Sequence, residues 1–192
     1  MGALHQTLTD LVTPGEQELL RSEALRLRAS ADTRIRRDPK LVDDAQLTSP
    51  ASGWYTSGGD VRWDLHQRTL VDRLGGMLGR SVQAVVSSYL YYGRGDFIGL
   101  HTDQGACQLT VLVLLDGTAG PLWVHPELCG LSAAELLQHT REHGVCPPGG
   151  VAVDLGDGPT LLHGQLLPHH RSPHEDDREI ALAAFCYETA AD

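Results

Sequence analysis

Tyr89-Leu90-Tyr91-Tyr92-Gly93-Arg94-Gly95-Asp96-Phe97-Ile98-Gly99-Leu100-His101-Thr102-Asp103, followed closely by Leu109-Thr110-Val111-Leu112-Val113-Leu114-Leu115, joins an aromatic run to an aliphatic one through a glycine-rich turn. β-Branched and aromatic residues bounded by Gly read as strands. His101 and Asp103 are two apart, so on an extended backbone both side chains leave the same face and can bind one metal ion. The spacing alone discriminates poorly, because His125-Pro126-Glu127 and His174-Glu175-Asp176 repeat it and read as surface or turn pairs. Position separates them: only His101 and Asp103 lie between two buried strands, where an unpaired carboxylate would cost several kcal/mol.

The same texture continues to the C-terminus. Strands are expected at 82–92, 97–101, 107–115, 121–125, 150–155, 160–163, 166–172 and 179–187. Before them the sequence is helical. Thr13-Pro14-Gly15-Glu16 is a capping box opening a helix through Leu27, and Leu65, Leu70, Val71, Leu74 and Leu78 mark a second that stops near Gly79. Residues 38–62, rich in Asp, Ser, Pro and Gly, read as a long loop. Ser132-Ala133-Ala134-Glu135 opens a third helix, ending at Gly144. The fold class is mainly β with flanking helices, its core a double-stranded β-helix (jelly roll, cupin-like). One domain is expected over 1–192, with helical support and loop at 1–80 and the jelly-roll core at 81–188.

Composition narrows the function classes. The 192 residues carry a formal charge of −10 and one lysine, Lys40, which argues against a nucleic-acid or membrane-surface partner. The N-terminal arginines are interleaved with acids, as on a solvated helix face. Four scattered cysteines and no apolar run of about 20 residues point to a cytoplasmic protein with no membrane span.

A two-His-one-carboxylate set needs one more histidine, and the C-terminal third offers His163, His169, His170 and His174. Arg178 opens the last apolar strand. It is suited to grip a dicarboxylate, or equally to pair with Asp176 or Asp177 in solvent.

With these residues in view, the stretch 84–187 resembles the iron(II)/2-oxoglutarate-dependent dioxygenases. Gly99-Leu100-His101-Thr102-Asp103-Gln104-Gly105 and Leu109-Thr110-Val111-Leu112 are similar to the His-Thr-Asp-x-Gly and Leu-Thr-x-Leu run of the isopenicillin-N-synthase-like branch. Gly120-Pro121-Leu122-Trp123-Val124 and Pro148-Gly149 through Val153-Asp154-Leu155-Gly156-Asp157 follow in that branch's order. The tail Pro168-His169-His170-Arg171-Ser172-Pro173, with Arg178 beyond, resembles the prolyl-hydroxylase branch, whose spacings select His169; the His-Arg pairing of the other branch selects His170. The resemblance implies iron held by His101, Asp103 and His169, with His170 as the alternative third ligand. It implies 2-oxoglutarate on Arg178 and Tyr91, with Tyr89 and Thr110 as weaker contacts, dioxygen as co-substrate and ascorbate as a stimulant. Ile180 replaces the branch's usual Ser on the last strand. Retention of Asp103 argues against halogenation.

The expected activity is hydroxylation, desaturation or epoxidation of a small molecule such as an amino acid or secondary metabolite, with 2-oxoglutarate converted to succinate. The alternatives are a peptidyl or prolyl hydroxylase acting on protein, or a non-enzymatic metal-binding barrel. Trp123, Arg171, Arg94 and Trp54 are candidate substrate contacts, with Trp63 beside them. His163 is expected in the pocket or core and His174 in a turn.

Overall fold

A computed structural model describes residues 3–36 and 50–190. A short strand β1 (His5–Thr7) precedes helix α1 (Pro14–Leu27), whose Thr13–Glu16 capping box forms as expected. Strands β2 (Asp32–Arg36) and β3 (Ala51–Thr56) follow. Helix α2 (Asp60–Asp64) then runs through a π-helical segment, Leu65–Leu70, into α3 (Val71–Leu78), which ends on Gly79 at φ 64°. The expected loop at 38–62 is therefore corrected. Its second half holds β3 and the start of α2, and its residues 38–49 lie outside the described residues.

The remaining strands are β4 (Val82–Tyr92), β5 (Phe97–His101), β6 (Leu109–Asp116), β7 (Leu122–Val124), β8 (Val151–Val153), β9 (Thr160–Leu162), β10 (His169–Arg171) and β11 (Ile180–Thr189). Helix α4 (Ala133–His143), with a second capping box at Ser132 and Glu135, lies between β7 and β8 and packs against β5. The ladder order is β1-β9-β6-β11-β4-β3-β5-β10-β7-β8, with β2 paired to β3. β9-β6-β11-β4 form one wall and β5-β10-β7-β8 the other, while β3 joins them by pairing with both β4 and β5. This antiparallel arrangement is the expected double-stranded β-helix.

Two apolar clusters explain why β11 is apolar at every position from Ile180 to Phe185. Ile180, Leu182 and Ala184 face the interior of the roll with Tyr92, Leu112, Leu122 and Val124. Ala181, Ala183 and Phe185 face outward onto α1 and α3 with Leu20, Ala24, Leu70, Leu74, Tyr89 and Tyr91. A strand buried on both faces loses the polar alternation of a half-exposed one. α1 is tied to the start of α2 by buried Glu23, whose carboxylate accepts from the backbone N–H groups of Val61 and Arg62 and from the Tyr89 hydroxyl.

His66 is fully enclosed beneath the same helices, against Phe185 and Tyr187, and its Nε2 donates to the Cys186 carbonyl at 3.0 Å. Burial, countered in part by that carbonyl and reinforced by Arg62, pulls its pKa down from 6.5 to about 4. The unfolded chain therefore binds a proton that the folded chain excludes between those values. His66 adds no pH penalty above about pH 6.5 and costs stability as the pH falls toward 4. The expected loss at pH 5 is about 2 kcal/mol. Denaturant unfolding at about pH 7.5 and about pH 5 checks this, and the same loss in a His66→Phe variant would place its origin elsewhere.

Candidate metal centre

β5 and β10 are antiparallel neighbours, and their register sets His169 directly opposite His101. The two rings lie 4.3 Å apart between centroids. Asp103, just past the end of β5, completes the group: its Oδ1 is 3.7 Å from His101 Nε2 and 3.8 Å from His169 Nε2. The three ligand atoms lie within 4.8 Å of one another, and this is the one such group of three or more among the described residues.

Backbone carbonyls fix both rings. His101 Nδ1 donates to the Gly99 carbonyl at 2.8 Å and His169 Nδ1 to the Leu167 carbonyl at 2.9 Å, so both Nε2 lone pairs face the Asp103 carboxylate. A protonated Nδ1 makes Nε2 the metal-binding nitrogen, the usual role of an outer hydrogen bond to a ligand histidine. The Thr110 hydroxyl donates to Asp103 Oδ2, leaving Oδ1 turned toward the histidines. Two imidazoles and one carboxylate on one side of a cavity form the donor set that ferrous iron takes while keeping positions open.

The remaining residues of this segment divide by face. His170, adjacent in β10, points out of the roll. Its Nδ1 lies 3.1 Å from His125 Nε2, and His125 Nδ1 donates to Glu127 at 2.8 Å. The alternative third ligand is thereby occupied elsewhere, and burial lowers its pKa to about 4. Of the pair read from sequence as a surface or turn pair, Glu127 does lie exposed in a short turn, whereas His125 is buried and joins this network. His174 is buried as well and donates to the Arg178 carbonyl at 2.8 Å. His163 is half-buried at the end of β9.

Behind His101, Asp103 and His169 a cavity of about 160 Å³ runs into the roll, lined by Leu90, Tyr92, Ile98, Leu112, Leu122, Leu182 and other residues, with Thr110 and Arg171 among them. Several expectations are corrected here. Tyr91 and Tyr89 point the other way, toward the helices, where the Tyr91 hydroxyl donates to the Ala24 carbonyl at 2.7 Å. Alternation along β4 puts Tyr92 in the cavity instead. Arg178 is outside the cavity: its side chain is 63% exposed and pairs with Asp116 at 3.0 Å. It leaves the chain before β11 begins, so the inward alternation of that strand does not apply to it. Arg94 pairs with Asp177 in solvent at 2.6 Å. Trp54 packs on the helix side under the Arg28 guanidinium, and Trp63 is exposed. Trp123 faces outward and lines a second cavity of about 390 Å³ where the β6–β7 and β10–β11 loops meet.

Arg171 is inside. It shares the His169 face of β10, is buried, donates from Nη1 to the Gly120 carbonyl at 3.1 Å and lies 5.4 Å over the Tyr92 ring. Its Nη2 is enclosed and without a hydrogen-bond partner among the described residues. Sequence reading also passed over Gly164. Its carbonyl accepts from Asp103 N–H at 2.9 Å, and a Cβ there would fall on the Asp103 carboxylate. No motif marks it, because the need for Gly comes from a contact 61 positions back in the chain.

The chain has the fold of the iron(II)/2-oxoglutarate oxygenase superfamily. Among solved structures it is similar to the non-heme alpha-ketoglutarate-dependent epimerase SnoN of nogalamycin biosynthesis (16% identity, 96% of this chain and 78% of that one, TM-score 0.66). It is similar too to HygX from Streptomyces hygroscopicus, solved with nickel, 2-oxoglutarate and hygromycin B (17% identity, 97% and 83%, TM-score 0.63). A prolyl-4-hydroxylase from Pseudomonas putida matches over 98% of this chain and 95% of its own at 13% identity and a TM-score of 0.58. No protein-family model and no curated protein sequence matches the chain.

Proposed function

We propose that this protein is an iron(II)- and 2-oxoglutarate-dependent oxygenase that oxidises a small molecule. The observation that carries the reading is the grouping of His101, Asp103 and His169, with their lone pairs converging, at the head of a largely apolar cavity. Ferrous iron held there with 2-oxoglutarate and dioxygen supplies oxidation of a substrate C–H bond, coupled to conversion of the co-substrate to succinate and carbon dioxide.

The protein's own part is to hold geometry and keep water out. Gly99 and Leu167 keep the two imidazoles in one tautomer, and Thr110 orients the carboxylate. Leu90, Leu112, Leu122 and Leu182 close the cavity around the centre. On the other side of His101, Leu100, Thr102 and Gln104 form a narrow recess with Ala133, Leu136 and Leu137 of α4.

A small-molecule substrate is favoured by SnoN and HygX, which belong to natural-product chemistry. A peptide substrate is favoured by the near-complete mutual coverage with the bacterial prolyl-4-hydroxylase. Four unpaired cysteines suit a reducing compartment, and no helix among the described residues is long and apolar enough to cross a membrane. Screening metabolite and peptide libraries for substrate-stimulated, oxygen-dependent succinate formation tests the reading. Stimulation by a metabolite class is the expected outcome, stimulation by peptides alone would move the protein to the second reading, and no succinate with either library would reject both.

A further inference from the structure

The cavity behind the metal centre ends on Arg171, a cation that no carboxylate among the described residues neutralises. Arg62, also buried, shows how this protein otherwise treats such a group. All three of its guanidinium nitrogens donate, to Gly58 O, Ser87 Oγ and Ser57 O, and the Glu23 carboxylate is bound at its own backbone N–H. Among the described residues Arg171 has one carbonyl, one aromatic face and one enclosed nitrogen with no partner. A buried guanidinium without a counter-charge costs several kcal/mol, so the site is poised for an anion.

The surrounding residues say which anion. Arg171 and His169 are two apart on β10 and face the same cavity, which puts the cation roughly 6.6 Å along the strand from a metal ligand. That span is close to the length of an extended five-carbon dicarboxylate. A divalent metal, the Asp103 carboxylate and the Arg171 guanidinium together leave two positive charges uncompensated, the number a dicarboxylate brings. At about 160 Å³ the cavity suits a small diacid, whereas drug-sized ligands occupy roughly 300–1,000 Å³. β11 contributes Leu182, Ala184 and Cys186 to the lining and no cation, and Arg178 is held outside by Asp116.

We infer that Arg171, not Arg178, receives the distal carboxylate of 2-oxoglutarate. This rests on the function proposed above and departs from the role that the family spacing assigns to Arg178. The guanidinium offers Nη2 to one carboxylate oxygen while Nη1 stays on Gly120, and Tyr92 backs its face. Arg178 instead fastens the start of β11 to the end of β6 through Asp116, which Arg21 also binds at 3.0 Å.

The test is calorimetric binding to the nickel-loaded protein, with 2-oxoglutarate and with 2-oxobutyrate, which keeps the chelating end and lacks the distal carboxylate. Wild type should prefer 2-oxoglutarate on the order of 100-fold, as expected for a desolvated, charge-assisted contact. Arg171→Met should erase that preference, weakening 2-oxoglutarate to the level of 2-oxobutyrate and leaving 2-oxobutyrate and nickel affinity unchanged. Arg178→Met should bind both acids as wild type does. Should Arg171→Met fail to fold, Arg171→Lys decides, by a preference reduced about tenfold. The inference is overturned if Arg171 variants keep the full preference or if Arg178→Met loses it. If the wild-type nickel protein binds neither acid, the functional reading itself falls, and the assignment of Arg171 with it.

Discussion

Replacing His169 by alanine is expected to abolish iron binding, while replacing its neighbour His170 by alanine leaves iron bound. The two residues have the same chemistry and adjacent places in β10, so the contrast tests geometry alone. His169 Nε2 lies 3.8 Å from the Asp103 carboxylate, and its Nδ1 is committed to a carbonyl, which leaves a lone pair for a metal. Removing one of three protein ligands leaves two, too few to hold a divalent ion against buffer. His170 contacts His125 on the opposite side of the strand. Its loss leaves His125 Nε2 buried without a partner and costs about 1–3 kcal/mol of stability, with no change in the metal site. Iron or cobalt titration, read beside a thermal melt, separates the two effects. Metal lost with His170 and kept without His169 would reverse the ligand assignment.

A smaller but clear loss of metal affinity is expected from Gly164→Ala, a change of one methyl group. Gly164 has no positive φ, so alanine is tolerated by the backbone there. The added Cβ falls on the Asp103 carboxylate and its Cβ, which cannot retreat because Asp103 N–H is bonded to the Gly164 carbonyl. Either the carboxylate turns away from the two histidines or the β9–β10 connection shifts. Metal affinity should fall by about 10–100-fold, the range seen when groups supporting metal ligands are disturbed. The fold should persist, since the roll's apolar clusters are untouched. Unchanged metal affinity in Gly164→Ala would mean that Asp103 sits elsewhere in solution.

These two residues also mark the limit of what the sequence discloses. Strand positions were legible because Gly and Pro bound short apolar runs, and both capping boxes form where Thr13 and Ser132 stand. β3 was not legible: Ala51-Ser52-Gly53-Trp54-Tyr55-Thr56 carries the small and polar residues of a loop, and it becomes a strand by bridging β4 and β5. The His101-x-Asp103 pair stood out through its flanking strands. The partner from β10 did not, because alternation says that His169 and His170 face opposite ways without saying which faces inward. The same parity ambiguity exchanged Tyr91 for Tyr92. Arg178 stands at the start of the last apolar strand and at the family's distance from His169, but neither a strand's first residue nor a distance counted through a turn carries a direction.

The proposed arrangement has His101, Asp103 and His169 holding ferrous iron in a cavity that also takes 2-oxoglutarate. Its most direct test is the visible spectrum of the anaerobic protein as iron(II) and then 2-oxoglutarate are added. The predicted result is a weak metal-to-ligand charge-transfer band that appears only with both present, saturates at one co-substrate per protein, and is absent in His169→Ala. A protein that binds zinc tightly at these residues and develops no band with iron(II) and 2-oxoglutarate would contradict the account.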